Sequence, residues 1–276
     1  MAVAHDKPSS LDLGALKARQ QAMWASGDYG AVASKIVNVA ERLCDAADLH
    51  AGWRVLDVAT GNGNVAIAAA RRGCGVVGVD YVPALLDHGR LRAEVEGLDV
   101  TLLEGDAESL AFPDASFDAV TSVFGVMFAP DQPKAAAELL RVCRPGGTIG
   151  LVSWTPTGYI GEMFRTTATH VPPPAGAPSP FRWGTEDGLT ELLGHGVSSL
   201  EVEERTFTFR YASAEDFVAY FRTWYGPTLK AFETLDEDGQ SALESDLVEL
   251  ARRHDRGPDG SMAVDATYVE AIAIRA

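Results

Sequence analysis

The feature that most constrains the fold is a strand, a glycine turn and a helix that follow one another over residues 54–72. The run at 54–58, RVLDV, is rich in the aliphatic residues of a buried strand. Gly61 and Gly63 follow it, and an alanine-rich helical pattern covers 65–72. Glycines there let the backbone approach a ligand closely, and the helix start offers free N–H groups. The segment predicts a ligand site at its turn.

The same alternation continues along the chain and predicts a parallel sheet. Further β-rich runs cover 75–80, 100–104, 117–123 and 148–154, and helical patterns cover 83–96 and 132–143. Strands that alternate with helices in this way are typical of βαβ units. We therefore expect an α/β fold, doubly wound and Rossmann-like, with a seven-stranded sheet.

Both ends of the chain depart from this alternation. Residues 1–50 are predicted to form a helical preface to a cofactor-binding core at 51–155, with helices at 11–24 and 32–49. Residues 156–276 are expected to hold the remaining strands, a substrate lid and a helical insertion at about 213–254, which Ser213 begins as N-cap. The strands that flank the insertion cover 200–211 and 264–276. We expect these two strands to pair, which would lay the insertion over the binding edge.

Glycine and proline predict two irregular segments in the second half of the chain. Pro145, Gly146 and Gly147 indicate a sharp turn between a helix and a strand. After Trp154 a loop is expected, because prolines crowd the segment up to Pro180.

The charge of the chain argues against a nucleic-acid partner. The 276 residues include 39 Asp and Glu but only 23 Lys and Arg, so the net charge is −16. Phosphate binding needs clustered basic side chains, so we expect a small-molecule substrate and no nucleic acid. No apolar run reaches the roughly 18 residues that a membrane span requires, and the first residues lack a signal-peptide pattern. We therefore expect a cytoplasmic protein without a membrane span.

Cysteine and histidine give no metal-binding pattern. The cysteines, Cys44, Cys74 and Cys143, lie far apart in the sequence, and the six histidines form no HxH or HxxxH pair. Neither a disulfide framework nor a metal site is expected.

The glycine turn admits two cofactors. Residues 61–66 fit the dinucleotide motif that ends in alanine, and Asp80 lies about 20 residues on, where an acid accepts hydrogen bonds from ribose hydroxyls. Asp57 favours a different ligand, because an acid at the end of the first strand suits an ammonium group. S-adenosylmethionine carries an ammonium group on its methionine arm, which makes it the preferred cofactor.

Three later segments, 104–110, 112–118 and 139–147, complete a pattern that resembles the class I S-adenosylmethionine-dependent methyltransferases. The resemblance is to the small-molecule branch, the methyltransferase type 11 domain, which includes the C-methyltransferases of ubiquinone and menaquinone biosynthesis. It covers roughly residues 25 to 155. One departure is Asn64, which stands where that family often has a third glycine; Asn adopts unusual backbone angles and donates hydrogen bonds.

This resemblance implies which residues hold the cofactor. They are, in chain order, Tyr29, Asp57, Gly61, Asn62, Gly63, Asp80, Tyr81, Asp106, Ala107, Ser122 and Phe124. Asp57 and the glycines would hold the methionine half, and Asp80 the ribose, with Tyr81 beside the adenine. Asp106 and Ala107 would lie at the adenine edge, the segment from Ser122 to Phe124 under the methionine arm, and Tyr29 over the bound molecule.

Methyl transfer from a sulfonium needs alignment of the nucleophile more than it needs a catalytic side chain. If a base is used, His170 in the proline-rich loop is the candidate, ahead of His195. Aromatic residues around or after the last central strand indicate an apolar pocket: Trp154, Tyr159, Phe164, Phe181, Trp183, Tyr220, Phe221, Trp224 and Tyr225. Three of these, Tyr220, Trp224 and Tyr225, have helical spacing and are alternatively expected in the core of the insertion.

The expected function is methyl transfer to an oxygen or carbon atom of a small aromatic or hydrophobic molecule, such as a quinone, a phenol or a natural-product intermediate. The motif Asn-Pro-Pro-aromatic of many amino-methylating enzymes is absent from the sequence. Two alternatives remain at this stage: a cofactor-binding module without catalysis, and an NAD-dependent oxidoreductase.

Overall fold

The computed structural model describes residues 12–258 and 260–276, which form a seven-stranded mixed sheet with helices on both sides. The strands are β1 (Arg54–Val58), β2 (Gly75–Asp80), β3 (Val100–Glu104), β4 (Phe117–Val123), β5 (Cys143–Trp154), β6 (Val197–Tyr211) and β7 (Met262–Arg275). Their order across the sheet is β3-β2-β1-β4-β5-β7-β6. The predicted doubly wound, Rossmann-like fold is confirmed.

Helices connect the strands, and further helices form two regions outside the alternation of strands and helices: the preface before β1 and the insertion between β6 and β7. The helices are α1 (Leu13–Trp24), α2 (Tyr29–Ala33), α3 (Val37–Ala46), α4 (Asn64–Arg71), α5 (Pro83–Val95), α6 (Gln132–Val142), α7 (Tyr159–His170), α8 (Glu186–Leu193), α9 (Ala214–Trp224), α10 (Gly226–Thr234) and α11 (Glu237–His254). Within the part of the chain that the structure describes, no helix combines the length and apolar character of a membrane span.

The first five strands are parallel and place the functional edge. β1 lies between β2 and β4, and its residues 55–58 are almost fully buried. The chain builds β1, β2 and β3 outward and then returns to β4 on the other side of β1. Where the strand order reverses, the connections diverge and leave a crevice at the carboxyl ends of the strands. Side chains that follow β1, β2 and β4 therefore meet at one edge.

The last two strands pair as predicted, and they run antiparallel. β6 pairs with β7 from Val197 to Tyr211, and β7 also pairs with β5. The helical insertion lies between them as three helices, α9 to α11. The expected start of the insertion is confirmed, since Ser213 Oγ accepts a hydrogen bond from the Asp216 N–H at 3.0 Å.

Three details of the sequence analysis need correction, and a fourth is not tested. The helix predicted over 32–49 begins at Tyr29, is interrupted by a 3₁₀ turn and ends at Ala46. The start of the first helix at Leu11 lies outside the described residues. The turn at 145–147 lies inside β5, as a break in its pairing with β4.

The loop expected after Trp154 is in fact mostly helical. α7 covers Tyr159–His170, and a 3₁₀ helix covers Pro180–Gly184. Pro156 precedes this helix and the next proline is Pro172, so the prolines leave room for three turns of helix whose buried side includes Ile160 and Met163.

Candidate active site

A cleft of about 940 Å³ lies at the carboxyl ends of the central strands, under α1 and α2. Most of the residues predicted to bind the cofactor line it together: Tyr29, Asp57, Gly61, Asn62, Asp80, Tyr81, Asp106, Ala107 and Phe124. The parallel sheet explains this, because Asp57, Asp80 and Asp106 each lie within two residues of the carboxyl end of their own strand and these strand ends share one edge.

Asp57 is a buried carboxylate held by hydroxyl groups. Only 1% of its surface is exposed. Thr60 Oγ1 donates to its Oδ2 at 2.5 Å, and Thr121 Oγ1 donates to its Oδ1 at 3.1 Å. Burial raises the pKa of Asp57 to about 7, although both hydroxyl groups lower it. A cation placed beside this carboxyl group would favour its ionised form.

Asp80 ends β2 and accepts two backbone hydrogen bonds. The Gly61 N–H donates to its Oδ2 at 2.8 Å, and the Val82 N–H donates to its Oδ1 at 2.9 Å. Burial raises the pKa of Asp80, against these bonds. An ionised carboxylate has about four acceptor positions. Asp80 therefore anchors the glycine turn and keeps acceptor capacity for the hydroxyl groups of a ligand.

The glycine turn needs the backbone freedom of its two glycines. Gly61 has φ +55° and Gly63 has φ +82°, where side chains are strained. A Cβ at Gly61 would lie 3.6 Å from Cε1 of Tyr29, so the Tyr29 ring covers the turn. Asn64 begins α4 and its amide donates to Ala33 O at 2.9 Å, which confirms the expected hydrogen bond but not unusual backbone angles.

Two predicted residues do not reach the surface of the cleft. Ser122 is fully buried; its Oγ donates to Val58 O at 2.7 Å and accepts from the Val126 N–H at 2.9 Å. Gly63 is the N-cap position of α4 and is also absent from the lining. Both residues therefore support the shape of the cleft without lining it.

Backbone strain is concentrated at the ends of the two central strands. Ala59, after β1, and Phe124, after β4, both have φ of +52°. Both residues line the cleft. Residues other than glycine rarely adopt such angles, and they cluster at sites where the surrounding structure enforces them. Phe124 is held by Trp154, whose ring stacks on it with centroids 3.8 Å apart.

Two residues of α1, Lys17 and Gln21, close the end of the cleft where the adenine is predicted to bind. The sequence analysis did not identify them. Lys17 Nζ donates to Asp106 Oδ2 at 2.5 Å and also contacts Glu108. Gln21 Nε2 donates to Tyr81 O at 2.5 Å. Lys17 and Asp106 are 89 residues apart in the chain, so no local pattern could have paired them.

The charges of the cleft select its ligand. Four acids line it, Asp57, Asp80, Asp106 and Glu108; among described residues, Lys17 is the one basic side chain there, and it is bound to two of the acids. Such a wall favours a ligand with positive charge and hydrogen-bond donors, and opposes a pyrophosphate. β7 also runs antiparallel, whereas the dinucleotide fold has six parallel strands in the order 3-2-1-4-5-6.

A second, narrow cavity, which we call the apolar chamber, adjoins the cleft. It shares with the cleft the residues Trp24, Tyr29, Ile36, Phe124 and Phe128. Its remaining lining residues are Val32, Trp154, Ile160, Met163, Phe209, Phe221 and Tyr225. The preface, the sheet and the insertion thus all contribute to it.

The predicted aromatic residues divide between this chamber and other places. Trp154, Phe221 and Tyr225 line the chamber. Trp183 is fully buried elsewhere in the core, and Trp224 is 38% exposed. The chamber is therefore built partly from Tyr225, one of the three residues that the helical spacing had suggested for the core of the insertion.

The structure does not bring the predicted base to the site. His170 ends α7, and its Nε2 lies 2.7 Å from Asp246 Oδ2 of α11. His195 lies in a 3₁₀ turn at Gly194–Gly196. Neither histidine lines the cleft or the apolar chamber. Because His170 lies at the end of a helix and not in a loop, its side chain faces α11 instead of the cleft.

Comparison with known proteins agrees with this geometry. Residues 55–147 match the model of a family described as a methyltransferase domain. An uncharacterised protein of Mycobacterium tuberculosis is 42% identical over 244 residues, which are 87% of this chain and 89% of that protein. A demethylmenaquinone methyltransferase of Deinococcus radiodurans is 44% identical over 132 residues, which are 46% of this chain and 55% of that enzyme.

A solved structure shows the same fold over nearly the whole chain. The phosphoethanolamine N-methyltransferase 2 of Haemonchus contortus, in complex with phosphomonomethylethanolamine and S-adenosylhomocysteine, superposes with a TM-score of 0.59. The match covers 98% of this chain and 61% of that one, at 19% identity. At this identity the likeness concerns the fold alone.

Proposed function

Because the chain belongs to the class I S-adenosylmethionine-dependent methyltransferases, we propose that it methylates an oxygen or carbon atom of a small aromatic or hydrophobic molecule. A quinone, a phenol or a natural-product intermediate would fit this description. The observation that carries the proposal is the apolar chamber that shares a wall with the cleft. Apolar surface favours the burial of an apolar acceptor.

The residues of the cleft fit S-adenosylmethionine, which is the cofactor of this family. We infer that Asp57 holds its ammonium group, Asp80 its ribose hydroxyls and Asp106 the adenine edge. Three acids at successive strand ends match a ligand with a cationic end and several hydrogen-bond donors. When bound, the cofactor supplies a methyl group on a sulfonium, which is already activated for displacement.

The chain's own contribution would be to align the acceptor and to exclude water. None of the described side chains that line the apolar chamber is a carboxylate, an imidazole, an ammonium or a guanidinium. No strong base therefore faces the acceptor, so the acceleration would come from close and fixed placement of the nucleophile. The name of the Deinococcus relative supports the acceptor class, since demethylmenaquinone is a quinone with an apolar tail.

Methyl transfer from labelled S-adenosylmethionine tests this function. We expect a labelled, organic-extractable product with at least one member of a panel of phenols and reduced quinones. Charged acceptors such as glycine should give none, because the chamber offers their charges no partner. The proposal is wrong if glycine or other charged acceptors are methylated and no aromatic acceptor is.

Cofactor binding should weaken below neutral pH. In the free protein the pKa of Asp57 is about 7, and an adjacent ammonium group would lower it, so binding releases a proton from Asp57. The Kd of S-adenosylhomocysteine should then be level above pH 7 and rise about tenfold for each pH unit below it. Calorimetry between pH 5.5 and pH 8.5 would measure this.

The variant Asp57→Asn is the control for this pH dependence. Its amide does not titrate, so its Kd should be higher at pH 8 and should lack the contribution of Asp57 to the slope. An unchanged slope in Asp57→Asn would assign the titration to another group, such as the neighbouring Asp80, whose pKa burial also raises.

A further inference from the structure

The described side chains of the apolar chamber offer few nitrogen and oxygen atoms, and each of these belongs to a group that can donate a hydrogen bond. Among the described side chains that line it, they are the hydroxyl groups of Tyr29 and Tyr225 and the indole N–H groups of Trp24 and Trp154. All four groups can donate a hydrogen bond, and the indoles can only donate. The chamber is therefore suited to a molecule that is mainly apolar and carries an oxygen able to accept.

Of the four described residues with these polar groups, Trp154 and Tyr225 line the chamber and not the cleft, and of these two only Tyr225 carries a hydroxyl group. Its side chain is buried, with 6% of the residue exposed. The ring lies 5.6 Å from that of Trp24 and 5.3 Å from that of Phe221. Within residues 12–258 and 260–276, its hydroxyl oxygen is not one of the fully buried polar atoms that lack a hydrogen-bond partner, and no side-chain hydrogen bond holds it, so the oxygen keeps contact with the space of the cavity. A hydroxyl group at a cavity wall is available to donate a hydrogen bond to a ligand.

The backbone around Tyr225 fixes where this hydroxyl group can be. Tyr225 joins α9 to α10, and its N–H donates to Phe221 O at 2.9 Å. Tyr225 also forms a β-bridge with Gly27 of the preface. Beside it, the Asp28 N–H donates to Trp224 O at 3.1 Å. The insertion and the preface therefore hold the ring from both sides.

The surroundings keep this hydroxyl group protonated. Burial raises the pKa of Tyr225 well above its usual range, and the nearby Tyr29 adds to the effect. Tyr225 is thus a hydrogen-bond donor at neutral pH and not a base. An unpaired donor in an apolar wall recognises an acceptor oxygen and discriminates against a hydrocarbon of the same shape.

We propose that Tyr225 is a positioning and specificity residue, whose hydroxyl group donates a hydrogen bond to an oxygen of the methyl acceptor. The site would thus take oxygenated aromatic molecules and orient their ring system through this bond. This inference rests on the proposed function, because it places the acceptor in the apolar chamber.

Two probes of nearly the same shape test the inference: 2-naphthol and naphthalene, each titrated into the full-length protein saturated with S-adenosylhomocysteine. We expect the variant Tyr225→Phe to bind 2-naphthol about tenfold more weakly than the wild type does, which is the effect of one lost hydrogen bond. Its affinity for naphthalene should be unchanged, because the ring remains. With a phenolic acceptor, KM should rise more than kcat falls.

The matched control is Tyr220→Phe, on the helix α9 that ends just before Tyr225. The Tyr220 hydroxyl group donates to Ala31 O at 2.8 Å, so it supports the preface and does not line the chamber. This variant should keep the wild-type ratio of the two affinities. A similar loss for 2-naphthol in both variants would show a structural effect and overturn the proposal.

The remaining outcomes separate this inference from the proposed function. If Tyr225→Phe keeps the wild-type ratio while phenols are methylated, the role of Tyr225 is wrong and the function stands. If the wild-type complex binds neither probe and methylates no aromatic acceptor, the proposed acceptor class is wrong, and the inference fails with it.

Discussion

Replacement of Asp80 by alanine should raise the Kd of S-adenosylhomocysteine by roughly 150-fold, or about 3 kcal/mol, the combined effect of two charge-assisted hydrogen bonds at the low end of their range. We infer that this carboxylate binds two ribose hydroxyls. It also accepts the N–H groups of Gly61 and Val82, so its loss frees the glycine turn as well. Calorimetric titration measures the effect.

A control on α5, the helix that follows β2, separates the binding role of Asp80 from a general effect of charge. Asp87 is exposed on α5 and pairs with Arg90 at 2.6 Å, away from the cleft. Asp87→Ala removes the same charge and should leave the Kd within twofold of the wild type, since surface ion pairs contribute roughly 1 kcal/mol at most to stability. An Asp80→Ala protein that is folded and binds with wild-type affinity would refute the ribose role.

The variant Gly184→Ala should lower the free energy of unfolding by about 3 kcal/mol, the upper part of the usual range for overpacking. A Cβ at Gly184 would lie 1.9 Å from Trp154 O and 2.8 Å from Trp154 C. Both are backbone atoms of β5, so no side-chain rotation can relieve the contact. Thermal unfolding should show a Tm lower by roughly 5 °C.

The same variant should also disturb the acceptor side of the site. Trp154 stacks on Phe124, and both rings line the apolar chamber. Gly75→Ala is the control, because its Cβ would make only an ordinary contact of 3.9 Å with Trp53 O. That variant should be as stable as the wild type or slightly more stable. Equal Tm values for the two variants would show that α8 and its preceding turn shift freely away from β5.

Local patterns predicted the core of the fold well. Each strand from β1 to β5 is a short apolar run, and the helices between β1 and β3 and after β4 have their own periodicity. These signals depend only on residues that are close together in the sequence, so they can be recognised from the sequence alone. The β6–β7 pair was also predictable, because alternating side chains mark strands at any position in the chain.

Local patterns failed where tertiary contacts decide. α7 was taken as loop because prolines follow it, yet its buried residues pack against α11 and β7. The helix expected over 32–49 is broken at Ile36, whose backbone angles are not helical. His170 was placed by the loop prediction near the site, and the helix carries it to Asp246 instead.

The sequence by itself determined the fold class and the acids at the strand ends, since each of these acids lies within two residues of the end of its own strand and parallel strands bring those ends to one edge. Only the tertiary structure decided what covers that edge. Lys17 meets Asp106 across 89 residues, and Tyr225 meets Gly27 across the joint between insertion and preface. Such contacts arise when separate segments pack on the sheet, and no spacing within either segment encodes them.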